Sequence, residues 1–143
     1  MSGGCPSQLT ACALTSVISD GTLDLRIAHL KQVYSHRAIA YATAMDKYWK
    51  PYGVTYQSCP GGYFFWVKLP EGVTATEVGK EGLQVGVWIM EGTSCMVPED
   101  ESVEYDKFIR ICIALEGEEK AVEGIKRLRK VFEKLLRAGR GSR

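Results

Sequence analysis

Apolar residues recur in steps of three and four along one stretch of the chain, at positions 23, 27, 30, 34, 38, 41, 45 and 48 or 49. That spacing lays them on one face of a helix. Thr22 stands where a capping hydroxyl belongs, and Pro51 and Gly53 end the run. A helix of about 27 residues is a rod of about 40 Å. One small sheet does not need such a length, so the helix is expected to lean on something else as well. Upstream, CPSQLTACALTSVISDG reads as a shorter helix from Pro6 to about Ser19, with proline in its first turn and Gly21 closing it.

The pattern then changes. VTYQSCPGGYFFWVKLP reads as two short strands around a Pro60-Gly61-Gly62 break. In the second, Tyr63, Phe65 and Val67 point one way and Phe64, Trp66 and Lys68 the other. Both faces carry apolar residues, so both need cover. Thr74 and Glu77 have capping-box spacing and predict a short helix that fails near Gly82. VGVWIM, 85–90, reads as a strand, a polar loop follows, and 108–115 reads as another strand. The last helix is amphipathic: Ala121, Val122, Ile125, Leu128, Val131, Phe132, Leu135 and Leu136 form one stripe. Acids lead it and bases trail it, as the helix dipole favours. The predicted fold is α/β: a small, mostly antiparallel sheet with helices on one face, preceded by a long helix. The other sheet face, with Phe64, Trp66 and Trp88, is expected to be a partner surface.

Composition narrows the function classes. The chain has 143 residues and a net charge of +1, so nothing points to nucleic acid or an anionic membrane surface. No apolar run reaches the roughly 20 residues that span a bilayer. The N-terminus lacks the basic and apolar regions of a signal peptide. The five cysteines, at 5, 12, 59, 95 and 112, form no CxxC pair and no zinc spacing. They read as reduced, small buried residues in a cytoplasmic compartment.

FIRICIA, 108–114, places a permanent cation inside an apolar strand. Alternation puts Ile109, Ile111, Ile113 and Leu115 on the face toward the last helix. Phe108, Arg110, Cys112 and Ala114 fall on the opposite face. A buried, unpaired guanidinium costs several kcal/mol, so something must offset it. Spacing alone leaves three answers: an ion pair with an internal acid such as Glu91 or Asp106, an arginine reaching the rim, or bidentate binding of a ligand carboxylate.

GGYFFWVKLP at 61–70 and FIRICIALEGEEKAVEGIKRL at 108–128 resemble the C-terminal small domain of fold-type I pyridoxal-phosphate-dependent aminotransferases. The branch most similar is class I/II, acting on 2-aminoadipate and aromatic amino acids. SGGCPSQLT looks like the segment entering the inter-domain helix. LQVGVWIMEGTSC resembles the family's G-V-x-x-x-P-G stretch, with Glu91 where the family has proline. The resemblance implies a helical junction segment over 1–21, an inter-domain helix over 22–50, the small domain over 51–138 and a disordered tail over 139–143. It implies that Arg110 grips the α-carboxylate of an amino acid or 2-oxo acid substrate. A large domain and a second subunit would then cover the two-sided strands, and a homodimer is allowed.

The family's Schiff-base lysine, the acid that pairs with the pyridinium nitrogen, the stacking aromatic and most of the phosphate grip lie upstream of the matched region. Lys31, Lys47, Lys50 and Lys68 stand in no matching motif. Pyridoxal 5'-phosphate is therefore expected in the complete enzyme but not on this chain alone, which reads as an inactive fragment or remnant. Catalytic and metal-binding residues are not expected. Two other classes remain open: a non-catalytic binding or dimerisation module, and a ferredoxin-like regulatory domain that senses amino acids. His29 and His36, two turns apart, read as a solvated or partner-facing pair. Gly61-Gly62 reads as a tight turn, and Tyr63 and Trp66 as core packing with a substrate-side wall as the alternative. Ser2, Gly3 and Gly4 match a family region that approaches the neighbouring subunit's cofactor. The basic residues of the last helix read as a solvated face.

Overall fold

The computed structural model describes residues 7–97 and 103–140, with the side chain of Arg140 left aside. Contacts divide the chain into two compact units, Met1–Ser35 and His36–Arg143. In the first, helix α1 spans Gln8–Ser19, and the Ser7 hydroxyl accepts from the Thr10 amide. Pro6, expected inside this helix, lies outside the described residues. Helix α2, Thr22–Tyr48, begins in the first unit and ends in the second. Its start is capped differently from expectation. Thr22 is already helical, and its amide donates to the Asp20 carboxylate at 2.9 Å. That bond holds the Asp20 carboxyl below its usual range. An aspartate oxygen is the better acceptor here because it carries the charge that a helix N-terminus attracts.

The second unit is built on four strands in the order β1-β2-β4-β3, every pairing antiparallel. They are β1, Thr55–Tyr56; β2, Phe64–Lys68; β3, Met90–Glu91; and β4, Phe108–Cys112. Helix α3, Ala75–Gln84, carries the chain from β2 to β3, on the far side of β4. The capping box of Thr74 and Glu77 forms as its spacing predicts. The helix outlasts the predicted stop at Gly82 by two residues. Gly82 is needed for closeness instead: a Cβ there would lie 2.9 Å from the Val87 carbonyl oxygen and 3.3 Å from Leu128. Helix α4, Glu118–Arg140, follows β4. It continues through Gly139 and Arg140, where a disordered tail is expected from sequence, because nothing in that stretch breaks a helix as proline would.

One sheet face is closed by helices. Phe65 and Val67 of β2, Ile109 of β4 and Ile113 just beyond it are buried, together with Ile125, Leu128 and Phe132 of α4 and Val78 of α3. Each such side chain contributes about 1.5–3 kcal/mol by leaving water. Trp49 anchors the end of α2 in this core. Its ring meets Phe132 edge-on at 5.4 Å, and its indole N–H donates to the Ile125 carbonyl at 2.8 Å. Together these satisfy both the ring's apolar body and its polar tip.

Three expectations are corrected. The strand predicted over 85–90 is paired only at Met90 and Glu91. Gly86 has a positive φ, and residues 87–89 leave the sheet. The strand predicted over 108–115 ends at Cys112, and Leu115 is 80% exposed rather than packed against α4. The four described cysteines are not core residues: Cys12 and Cys112 are exposed, Cys59 and Cys95 are half-buried, and all four are free thiols. Cys5 lies outside the described residues. No helix among the described residues is long and apolar enough to cross a membrane.

Candidate functional site

The sheet face away from the helices carries Phe64 and Trp66 of β2, Met90 of β3, and Phe108, Arg110 and Cys112 of β4. Register sets Trp66 and Met90 opposite Arg110 on its two sides, and Phe64 opposite Cys112. Arg110 is thus on the central strand, flanked by backbone that cannot easily move. Its guanidinium lies over the Phe64 ring, 4.2 Å from the centroid. Cation–π contact of this kind orients a guanidinium without neutralising it. Trp66 stacks on Phe108 at 5.4 Å and 13°. Phe64 remains 45% exposed.

The internal acids that could have tied up Arg110 are otherwise engaged. The Asp106 carboxylate accepts from the Thr76 amide and hydroxyl, each at 3.3 Å. Glu91 shares that one hydroxyl proton, its oxygen 3.1 Å from the Thr76 hydroxyl, and it lies against Gly79, where a Cβ would come within 2.5 Å of it. Gly79 thereby makes room for the carboxylate that stands at the expected proline position. Among the described residues Arg110 has no ion pair.

A cleft of about 190 Å³ adjoins Arg110. It opens where residues 87–89 leave β4 and lies on the helix-packed side of the sheet, walled by Ile111, Trp49, Ile125 and Leu128. Arg37, marked by no motif in the sequence, braces the end of β4. Its Nη1 donates to the carbonyls of Ile113 at 3.2 Å and Ala114 at 2.7 Å. A cation four residues before the buried Tyr41 stands on the inward side of α2, and that spacing was the available signal.

Other predicted residues stay apart from this site. His29 and His36 are both exposed. Gly62 adopts a φ of 85° in the bend that enters β2, a turn as expected. Tyr63 is 47% exposed, and Trp66 is half-buried. Ser2, Gly3 and Gly4 lie outside the described residues. A pyridoxal phosphate site needs a desolvated lysine to form the imine, and donors gathered around the phosphate. Among the described residues no charged side chain is buried. Lys120 borders the cleft but is 78% exposed and paired with Glu116 at 3.2 Å. Lys50 pairs with Asp46 at 3.6 Å, and Lys47 lies over Tyr48. The described residues do not assemble such a set, so among them none fits the cofactor.

No family model matches the chain. Uncharacterized protein YER152C of Saccharomyces cerevisiae is 40% identical over 78 residues, covering 54% of this chain and 17% of that protein. The 2-aminoadipate transaminase of Thermus thermophilus is 28% identical over 111 residues, 78% of this chain and 27% of the enzyme. The chain therefore spans 17% and 27% of the length of these curated relatives. Among solved structures, the α-aminoadipate aminotransferase LysN of Thermus thermophilus, complexed with N-(5'-phosphopyridoxyl)-L-leucine, superimposes with a TM-score of 0.75 at 25% identity. It matches 87% of this chain and 31% of LysN. The solved relatives are pyridoxal-phosphate-dependent aminotransferases, and this chain has the fold of one part of them.

Proposed function

We propose that this chain is the C-terminal, substrate-side domain of a pyridoxal-phosphate-dependent aminotransferase, and that Arg110 holds the substrate's α-carboxylate. The complete enzyme would transfer an amino group between an L-amino acid and a 2-oxo acid. One observation carries the reading. Arg110 projects from an inner strand on the helix-free face, stacked on Phe64, with no acid paired to it among the described residues. A planar guanidinium held in this way presents parallel donors that match a carboxylate. The likeness to aminotransferases supplies the chemistry for which such a grip would serve.

The cofactor supplies the electron sink when it is bound in the complete enzyme. The residues here contribute binding and orientation. Arg110 would fix the carboxylate end, Phe64 and β4 would fix Arg110, and Arg37 would fix the end of β4. The reading also makes the lone chain inactive, because no described residue in it is placed to bind the cofactor.

The test is to substitute this chain for the corresponding segment of the Thermus 2-aminoadipate transaminase. The hybrid should transaminate, and the lone chain with added pyridoxal phosphate should not. In the hybrid, Arg110→Ala should raise KM for the amino acid roughly 10- to 100-fold, the worth of a charge-assisted carboxylate contact. Arg110→Lys should recover part of that loss. Turnover by the lone chain, or an Arg110→Ala hybrid with unchanged KM, would overturn the reading.

A further inference from the structure

The cleft where residues 87–89 leave β4 lies on the helix-packed side of the sheet, away from the Arg110 guanidinium on Phe64. Two of its bordering residues are unusual. Tyr41 of α2 is only 4% exposed, yet its hydroxyl has no hydrogen-bond partner among the described residues. Trp49, in the same wall, does have one, the Ile125 carbonyl. Burial above all holds the Tyr41 phenol above its ordinary range, so it keeps a proton to donate. A hydroxyl withdrawn from bulk water without a partner is unfavourable. Gly124 of α4 is the second. Glycine is the poorest helix former after proline, and closeness does not require it here. A Cβ on Gly124 would meet nothing nearer than the Val87 methyls, at 3.9 and 4.0 Å. What the glycine does is leave the α4 wall open opposite Val87.

The cleft holds about 190 Å³. An apolar cavity of about 150 Å³ accepts benzene, so a single ring with one or two further atoms fits. At the border Lys120 is matched by Glu116 at 3.2 Å. That pair offers no surplus charge to an ion, and a carboxylate would have to enter apolar walls beside Glu116. We propose that this cleft is a binding site for a small uncharged molecule with one apolar ring and one hydrogen-bonding group. The ring lies against Ile111, Ile125 and Gly124, and the polar group meets the Tyr41 hydroxyl. The site is independent of the role given to Arg110, because it lies on the other face of the sheet and takes no carboxylate.

Amide nitrogen–proton NMR titrations of the full chain with 4-methylphenol, toluene and 4-methylbenzoate test it. The three share a ring and a methyl group and differ in the polar group. 4-Methylphenol should bind about 3- to 10-fold more tightly than toluene, the worth of one neutral hydrogen bond. 4-Methylbenzoate should bind at least about 10-fold more weakly than 4-methylphenol. The shifts should centre on residues 87–89 and Gly124 and spare Phe64 and Trp66. Tyr41→Phe should bring 4-methylphenol down to toluene and leave toluene unchanged. Gly124→Ala, whose added methyl makes only ordinary contacts, should keep the fold and weaken both neutral ligands. Gly124→Leu should abolish their binding, and if the leucine variant does not fold the alanine variant decides. Equal affinity for 4-methylphenol and toluene, or an advantage of the phenol that survives Tyr41→Phe, would overturn the proposal. So would undiminished binding by Gly124→Ala, shifts centred on Phe64 and Trp66, or no binding of 4-methylphenol at about 10 mM, roughly the weak limit for a site of this kind.

Discussion

Arg110 and Tyr56 show how differently a polar group is accommodated on the two sides of this sheet. Arg110 lies on the open face against an aromatic ring, with no counter-ion among the described residues. The Tyr56 hydroxyl donates to the Asp46 carboxylate at 2.9 Å, with the Ala42 carbonyl at 3.1 Å, and the ring meets Phe65 edge-on. Burial first, then the bond to Asp46 and its charge, push the Tyr56 phenol up to about 12 from 10.0. In the unfolded chain the phenol ionises near 10. Between these values the folded chain retains a proton that the unfolded chain has lost, so stability falls as pH rises. The contribution is complete below about pH 10 and is lost as pH passes about 12. Urea unfolding between about pH 9 and 12 should show this decline, and Tyr56→Phe should flatten it. The slope should not vanish, because burial also raises Tyr41 and the bond to Glu133 raises Tyr52. An identical slope in wild type and variant would refute the assignment.

Among the elements, the short segment from β3 into the next turn is the most constrained. Gly92 opens a 3-10 turn, Gly92–Cys95, and is buried. A Cβ on it would lie 2.7 Å from the Phe108 carbonyl oxygen and would press on the Tyr105 carbonyl as well. Backbone cannot yield as a flexible side chain can. Gly92→Ala should therefore cost about 1–3 kcal/mol, the usual range for overpacking. The urea midpoint would fall with the m-value preserved. A variant as stable as wild type would show that the turn has slack. This segment also set a limit on sequence reading. VGVWIM is apolar on both faces, which suits either a strand between two neighbours or the lining of a hollow. Alternation cannot separate these, and pairing with β4 at Met90 and Glu91 alone decided it.

At the scale of the molecule, the fully packed residues run from Tyr41 to Phe132, all in the second unit. Helix α1 buries none of its residues, although Leu9, Leu14 and Ile18 are 83%, 57% and 58% exposed. A helix so apolar gains little by facing water. Removing residues 1–20 should leave the unfolding free energy read from urea unchanged within about 0.5 kcal/mol, the scatter expected of surface changes. It should also lower the tendency of the chain to associate, read by light scattering. A large drop in midpoint would show that α1 stabilises the rest after all.

Helix positions, the capping box, the buried stripe of α4 and the outward side of Arg110 were all legible in the chain, because each depends on local spacing. A helix repeats every 3.6 residues and a strand every two, so neighbours in sequence state their own face. The exit of residues 87–89 from the sheet, the stacking of Arg110 on Phe64, the engagement of Glu91 and Asp106 by Thr76, and the brace from Arg37 to β4 were not. Those depend on groups 15 to 77 residues apart meeting in space, and no local pattern encodes such a distance. The same physics explains both outcomes: periodicity assigns a side chain to a face, and only packing decides what that face meets.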